Sequence, residues 1–360
     1  MPKNNELAVY AEMSDADQME LFRGWFASDS SESRTVELFD AIPKYIFDKA
    51  EKTTDKIELV TRSFRFRDQE YSVEISPAMI RRGEKTLGIY PGEREEIVVR
   101  TLLQMTVQQR AKLRIQVDSG VTITAFFTLS QIRKQLQAVG HDYKFAEIDE
   151  ALEVAQGAVM RLTGDRGGKN GVIRSALFQS YGAINTAGDK SGDEAHRYVV
   201  FNPLVTSSIL EGSTRLINFE RVMSLKSPLA RWLYDRLSHM FRQAEKCGFM
   251  SGPRYSLGLD TILRESGFTR EAQQRNNVTK IRAALKELQK QKILNAMKPY
   301  DEEVRLGDTP AGGGRRPIAD VIWTLYPSAG VVDEIIRGNQ EAKAVLRRSD
   351  GGGNQLRSLI

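Results

Sequence analysis

Residues 164–170, GDRGGKN, have the glycines and the lysine of a phosphate-cradling loop. Thr163 stands where the first Gly of G-x-x-x-x-G-K-[ST] belongs, however, and Asn170 replaces the Ser or Thr that would reach a magnesium ion. The stretch is therefore expected to be a hairpin turn. The three histidines, His141, His196 and His239, lie far apart and never as His-x-His, which supports neither a zinc site nor the metal site of a strand-nicking relaxase. His141, directly after Gly140 at a helix end, is read as structural, and the lone Cys247 as a packing residue. Glu93, Glu95 and Glu96 fall in the first turn of an expected helix, where the helix dipole accounts for them. An ATPase, nuclease or polymerase is not expected, nor any cofactor or metal.

Cationic chemistry remains. Residues 275–294, RNNVTKIRAALKELQKQKIL, carry six Lys or Arg against one Glu. At about 100° per residue, Val278, Ile281, Leu285 and Leu288 fall on one face, and Arg275, Thr279, Arg282, Lys286 and Lys290 form a contiguous stripe displaced from it. Lys280 and Glu287 lie elsewhere on the wheel. Cations for phosphates and long side chains for base edges are what a helix in the DNA major groove requires. A helix charged only for solubility has the same composition, and that alternative stays open. Two neighbours favour DNA: a short helix closed by Gly267 precedes the stripe, and a later loop carries Arg315 and Arg316, where a wing could touch phosphates or the minor groove.

The net charge of +5 is unevenly spread: −5 over residues 1–70, +2 over 71–219, +9 over 220–300 and −1 over 301–360. Such a local excess favours a polyanionic partner. A length of 360 residues with 41% apolar content suits two globular domains. One cysteine, no signal-like leader and no run of about 18 apolar residues predict a soluble, cytoplasmic protein of a reducing compartment without membrane contact.

Residues 1–69, acidic and broken by Pro43, are expected to form a flexible arm. A first domain over 70–218 has a strand at 70–76, a helix at 92–109, a hairpin at 112–126, helices at 129–140 and 145–162, and strands at 172–180 and 196–202. A second domain over 219–330 repeats that order. It has a helix at 227–244 with Ser227 as N-cap and Pro228 at the first helical position, a short helix at 259–267, the basic helix, and strands at 293–300 and 318–327. Residues 331–360 are read as a C-terminal tail. The expected fold class is α+β, with two winged-helix domains in tandem.

The stretches YPGEREE (90–96), TLSQIRKQLQAVGHDYKFAEIDEALEV (128–154), FNPLV (201–205), FERVMSLKSPLARWLYDRLSHMF (219–241) and LDTILRESGF (259–268) resemble plasmid-encoded RepA replication initiators of the iteron-binding type. The resemblance runs from about residue 71 to 328. It implies binding to direct repeats at a plasmid origin, opening of the strands, recruitment of host DnaA and the replicative helicase, and a monomer–dimer switch through the first domain. Carried over, it implies base reading by Arg275, Thr279, Arg282 and Lys286. It also implies backbone contacts from Arg133, Lys134, Lys144, Arg166, Lys169 and Arg174 in the first domain.

In the arm, QMELF (18–22) resembles the peptide with which replication proteins engage the bacterial sliding clamp, with Gln18 fixing register and Leu21 and Phe22 seated in an apolar pocket, while Met19 and Glu20 depart from the strongest form of the pattern. TVELFDAIPKY (35–45) looks like the related segment of broad-host-range initiators. Three other functions stay open: a repressor on an inverted operator, a strand-nicking initiator, and a protein-interaction scaffold.

Overall fold

The computed structural model describes residues 31–47, 53–54, 57–66, 69–117, 121–166, 169–184, 195–210, 214–240, 254–309 and 316–352. It is a mixed α and β structure built of small antiparallel sheets. The described residues open with β1 (Glu32–Val36), α1 (Glu37–Ala41), β2 (Thr53–Thr54), β3 (Val60–Phe66), β4 (Gln69–Ile75), β5 (Ala78–Arg82) and β6 (Lys85–Ile89). Next come α2 (Glu93–Val107), the hairpin β7 (Lys112–Val117) and β8 (Val121–Phe127), α3 (Leu129–Ala138) and α4 (Phe145–Gly157). Strands β9 (Val159–Arg166), β10 (Lys169–Ala176), β11 (Phe178–Ile184) and β12 (His196–Phe201) follow, then α5 (Pro203–Leu210) and β13 (Thr214–Asn218).

The remainder is α6 (Phe219–Ser224), α7 (Pro228–Met240), β14 (Tyr255–Gly258), α8 (Leu259–Glu265), α9 (Gln274–Lys290), β15 (Tyr300–Leu306), β16 (Ile318–Leu325) and α10 (Ala329–Gly352). Two principal apolar clusters form. One gathers α2, α3, α4 and the faces of the β3–β4 and β7–β8 strands. The other gathers α7, α8, α9, β16 and the start of α10 around the buried Trp323.

Local sequence accounts for most element ends. Thr128 caps α3, its hydroxyl accepting from the Gln131 N–H while the Gln131 amide oxygen accepts from the Thr128 N–H. Ser227 caps α7 in front of Pro228. Gly140 and Gly267 close α3 and α8 with φ of 85° and 78°, a left-handed conformation that glycine adopts without penalty.

Several expectations need correction. The helix expected over 145–162 stops at Gly157, and Val159 and Leu162 belong to β9 instead. The β-branched and apolar residues after Gly157 pair with β4 and β10, so tertiary pairing overrides the helical spacing. The GDRGGKN stretch joins β9 to β10 as the hairpin expected of it. Before Tyr300, the stretch expected as a strand at 293–300 has only a bridge between Leu294 and Pro327; the strand itself runs from Tyr300 to Leu306.

Of the arm expected over 1–69, residues 32–46 are part of the body. Strand β1 pairs with β13, and Val36, Phe39, Ile42, Tyr45 and Ile46 are buried. The segment TVELFDAIPKY is therefore packed rather than available as a docking peptide. Residues 331–339 are likewise no tail. Val331 and Ile335 enter the second cluster, Glu334 accepts from Arg221 at 2.7 Å, and Arg337 pairs with Glu32.

Candidate nucleic-acid interface

Helix α9 is the centre of the cationic surface. Val278, Ile281, Leu285 and Leu288 are all buried, as the helical spacing requires, and pack toward α7 and β16. Its N-terminal end is fixed by Asn277, buried within the turn. The Asn277 side-chain amide donates to the Glu271 carbonyl at 3.0 Å, and its oxygen accepts from the Glu271 N–H at 2.9 Å. The turn between α8 and α9 is thereby rigid. Glu287, on another face, accepts from the Lys226 and Ser227 N–H groups at the start of α7, tying the two helices together.

Arg275, Thr279, Arg282, Lys286 and Lys290 are all exposed on one side of α9. The structure thus separates apolar and basic faces as the wheel does, but it qualifies two members. The Thr279 hydroxyl donates to the Arg275 carbonyl at 2.8 Å, a bond within its own helix. Arg282 is clamped: its Nε donates to Glu302 Oε2 at 2.9 Å, and its Nη2 donates to Oε1. Glu302 Oε2 also accepts from the indole N–H of buried Trp323 at 2.9 Å. The Arg282 bonds, with the Trp323 bond added, hold the Glu302 carboxyl below its ordinary pKa.

Glu302 belongs to an acidic run on β15 that sequence reasoning passed over. Asp301 pairs with Lys298 at 2.9 Å and Glu303 with Arg305 at 2.9 Å. The signal was present as DEE in an alternating stretch, YDEEVRL, directly after the basic helix. In the loop that follows, Arg316 is exposed and its Nε donates to the Gly307 carbonyl at 2.7 Å. Arg315 lies outside the described residues.

The first-half candidates fall in two separate places. Lys134 on α3 and Lys144, immediately before α4, are exposed. Arg133 is engaged in the α3–α4 turn: its guanidinium lies 5.0 Å from the Phe145 ring centre and 3.4 Å from Asp142. These contacts brace the turn between α3 and α4. Arg174 is exposed on β10, the outer strand of the β10-β9-β4-β3 sheet. Arg166 and Lys169 face each other in the β9–β10 register and are described by backbone alone. The clamp-like residues Gln18, Met19, Leu21 and Phe22 lie outside the described residues, as does Cys247.

The acidic turn at the start of α2 does more than complement a dipole. Arg231 on α7, only 1% exposed, donates to Glu96 at 3.0 Å and to Glu93 at 2.9 Å, and to the Leu225 carbonyl at 2.8 Å. Arg100 pairs with Glu96 at 3.0 Å and with Asp235. Burial alone would push Glu96 up, but Arg231 and Arg100 outweigh it and hold its pKa below the ordinary value. Burial wins at Asp235, whose carboxyl is raised to about 6 although Arg100 opposes the rise. This buried ionic network joins α2 of the first cluster to α7 of the second. A further contact seats Gly267 beside Arg62 and the Tyr45 carbonyl, with Phe268 stacked on Phe47 at 5.1 Å.

Among the described residues, no group of three or more His, Cys, Asp or Glu side chains could hold a metal ion. None of the described helices is long and apolar enough to cross a membrane. His141 is half-buried and stacked against Tyr143 at 6.1 Å, and burial lowers its pKa.

No family model matches the sequence, and no curated protein matches it. Among solved structures, the chain is similar to a crystal structure of selenomethionine derivatives of domain 2 and domain 3 of RctB. The TM-score is 0.44 and the identity 11%, covering 82% of this chain and 99% of that one. A second crystal structure, of RctB domains 2-3, has a TM-score of 0.44 and 10% identity, covering 83% and 99%. Identity this low assigns no residue's role.

Proposed function

We propose that this protein is a non-enzymatic replication initiator of the plasmid RepA kind, which binds direct repeats at an origin through two winged-helix units. The observation that carries the reading is the face of α9. A stripe of Arg275, Thr279, Arg282, Lys286 and Lys290 is exposed on a helix whose opposite side is buried, behind a turn locked by Asn277. The order α7, β14, α8, α9, β15, β16, with a β14-β16-β15 sheet, supports a winged-helix reading in which α9 would serve as the recognition helix. In the first half, α2, α3 and α4 with the β11-β12-β8-β7 sheet fit the same scheme, with β9 and β10 diverted into a second sheet. Lys134, Lys144, Arg174 and the β9–β10 hairpin would then serve phosphates.

Binding energy gathered on the repeats would favour opening of an adjacent AT-rich segment, with host DnaA and the replicative helicase as the next partners. The QMELF peptide supports sliding-clamp binding as a separate contact. Anisotropy of a labelled 14–26 peptide against purified clamp tests it, and an absence of saturable binding up to high micromolar concentration sinks it. The central test is footprinting on a repeat-bearing origin fragment. Protection at regular intervals on direct repeats supports the initiator. Protection of one inverted operator instead supports the runner-up, a winged-helix repressor. Nicking of supercoiled origin DNA would overturn the non-enzymatic reading.

A further inference from the structure

Three carboxylates in succession, Asp301, Glu302 and Glu303, lie on the strand that follows the cationic helix. Beside a surface meant for a polyanion, unpaired negative charge costs affinity. Asp301 and Glu303 are paired with exposed Lys298 and Arg305 near the strand surface. Glu302 is different. Its side chain is 17% exposed, its Oε2 is anchored by the indole N–H of fully buried Trp323, and both its oxygens are directed at one guanidinium, that of Arg282.

The atoms used decide what is left over. A guanidinium has five N–H donors in one plane. Glu302 takes the edge formed by Nε and Nη2. The other edge, Nη1 with the second hydrogen of Nη2, keeps two parallel donors, and Arg282 remains 45% exposed. Two parallel donors match the N7 and O6 acceptors that guanine alone presents in the major groove. A long side chain free to rotate gives up rotamer entropy when it makes such a pair, and a guanidinium already held by a carboxylate gives up less.

We infer that Glu302, anchored by Trp323, is a positioning residue that aims the remaining edge of Arg282 at a guanine and so sets sequence preference at one base pair of the site. The inference rests on the DNA-binding reading above. It makes the acidic residue a contributor to discrimination even though its charge lowers overall attraction to DNA.

Selection from a duplex pool with a randomised core, using the full chain, separates the possibilities. The wild-type protein is expected to enrich a site with guanine at one position. Glu302→Ala is expected to keep the rest of the motif, bind unselected duplex more tightly, and lose about tenfold in preference for guanine at that position, within the range that one bidentate base contact supplies. Arg282→Lys, which keeps the cation but not the fork, is expected to lose the same position while retaining the salt dependence of binding. Glu302→Asp, which shortens the carboxylate but keeps its charge, is expected to restore part of the preference. If Glu302→Ala binds more tightly yet keeps the guanine, the carboxylate is only a repulsive charge and the inference is wrong. If Arg282→Ala leaves the motif intact, the inference is wrong while DNA binding stands. If the wild-type protein enriches nothing from the pool, the DNA-binding reading fails and takes the inference with it.

Discussion

Replacing Arg231 with Leu removes the central cation of the junction between the two halves. Arg231 supplies donors to Glu96 at 3.0 Å, to Glu93 at 2.9 Å and to the Leu225 carbonyl at 2.8 Å. Glu93 is 40% exposed and can turn to water, but Glu96 is 3% exposed and cannot. Leaving a buried charge without its partner costs about 3–5 kcal/mol, and an orphaned buried carbonyl adds about 1–3 kcal/mol. Arg100 still faces Glu96 and offsets part of this, so the expected loss is about 3–5 kcal/mol. Adding Glu96→Leu removes the stranded charge, and the double variant is expected to recover at least about half of the loss. Urea denaturation followed by far-UV circular dichroism and tryptophan fluorescence measures both. A single-variant cost below about 1 kcal/mol, or a double variant as unstable as the sum of the two single changes, would refute the claim that this network is buried and coupled.

Asp235, with its carboxyl raised by burial to about 6 in the folded chain against an ordinary 3.8, binds its proton more tightly folded than unfolded. Acidification from pH 6.5 toward 4 should therefore stabilise the wild-type protein relative to Asp235→Asn, by on the order of 1–3 kcal/mol; a pH-independent difference would contradict it. Glu96, lowered by its two arginines, contributes in the opposite sense, and its share is lost as the pH falls through the lowered value. Gly267→Ala combines a φ of 78° with a Cβ placed 2.8 Å from Arg62 Nη1 and 3.1 Å from the Tyr45 carbonyl, and should cost about 1–3 kcal/mol in thermal unfolding. Arg133→Ala should lower stability through the α3–α4 turn and leave the salt dependence of DNA binding unchanged, whereas Lys286→Ala should reduce that salt slope by about 1.

Periodicity located the elements whose burial is decided by one face. The apolar stripe of α9, the β7–β8 hairpin, the cap at Ser227 and the closing Gly267 were all legible because each depends on residues within one or two turns of chain. The misreadings share another cause. Residues 145–162 have helical spacing throughout, but the choice to break at Gly157 and form β9 is made by β4, more than eighty residues earlier in the chain. The acidic composition of the first 70 residues concealed Phe39 and Ile46, whose burial depends on partners far along the sequence. Charge counting likewise found the cations of α9 but not their pairing, because Arg282 meets Glu302 only once β15 folds back beside the helix. Glu96 and Arg231 are unremarkable members of two charged helices until those helices touch.

The pairing of β1 with β13, closed over by α10 through the Arg337–Glu32 ion pair, also sets an order of assembly. During synthesis, β1 leaves the ribosome long before β13 exists, and α10 follows later still, with Glu32 and Arg337 roughly 300 residues apart. Until then, strand β1 has an open edge, a state prone to pairing with another chain. The early segment of each molecule therefore waits through most of translation for a partner within the same chain. Slowing translation near residues 214–218, or crowding many nascent chains on one messenger, should raise strand exchange between copies.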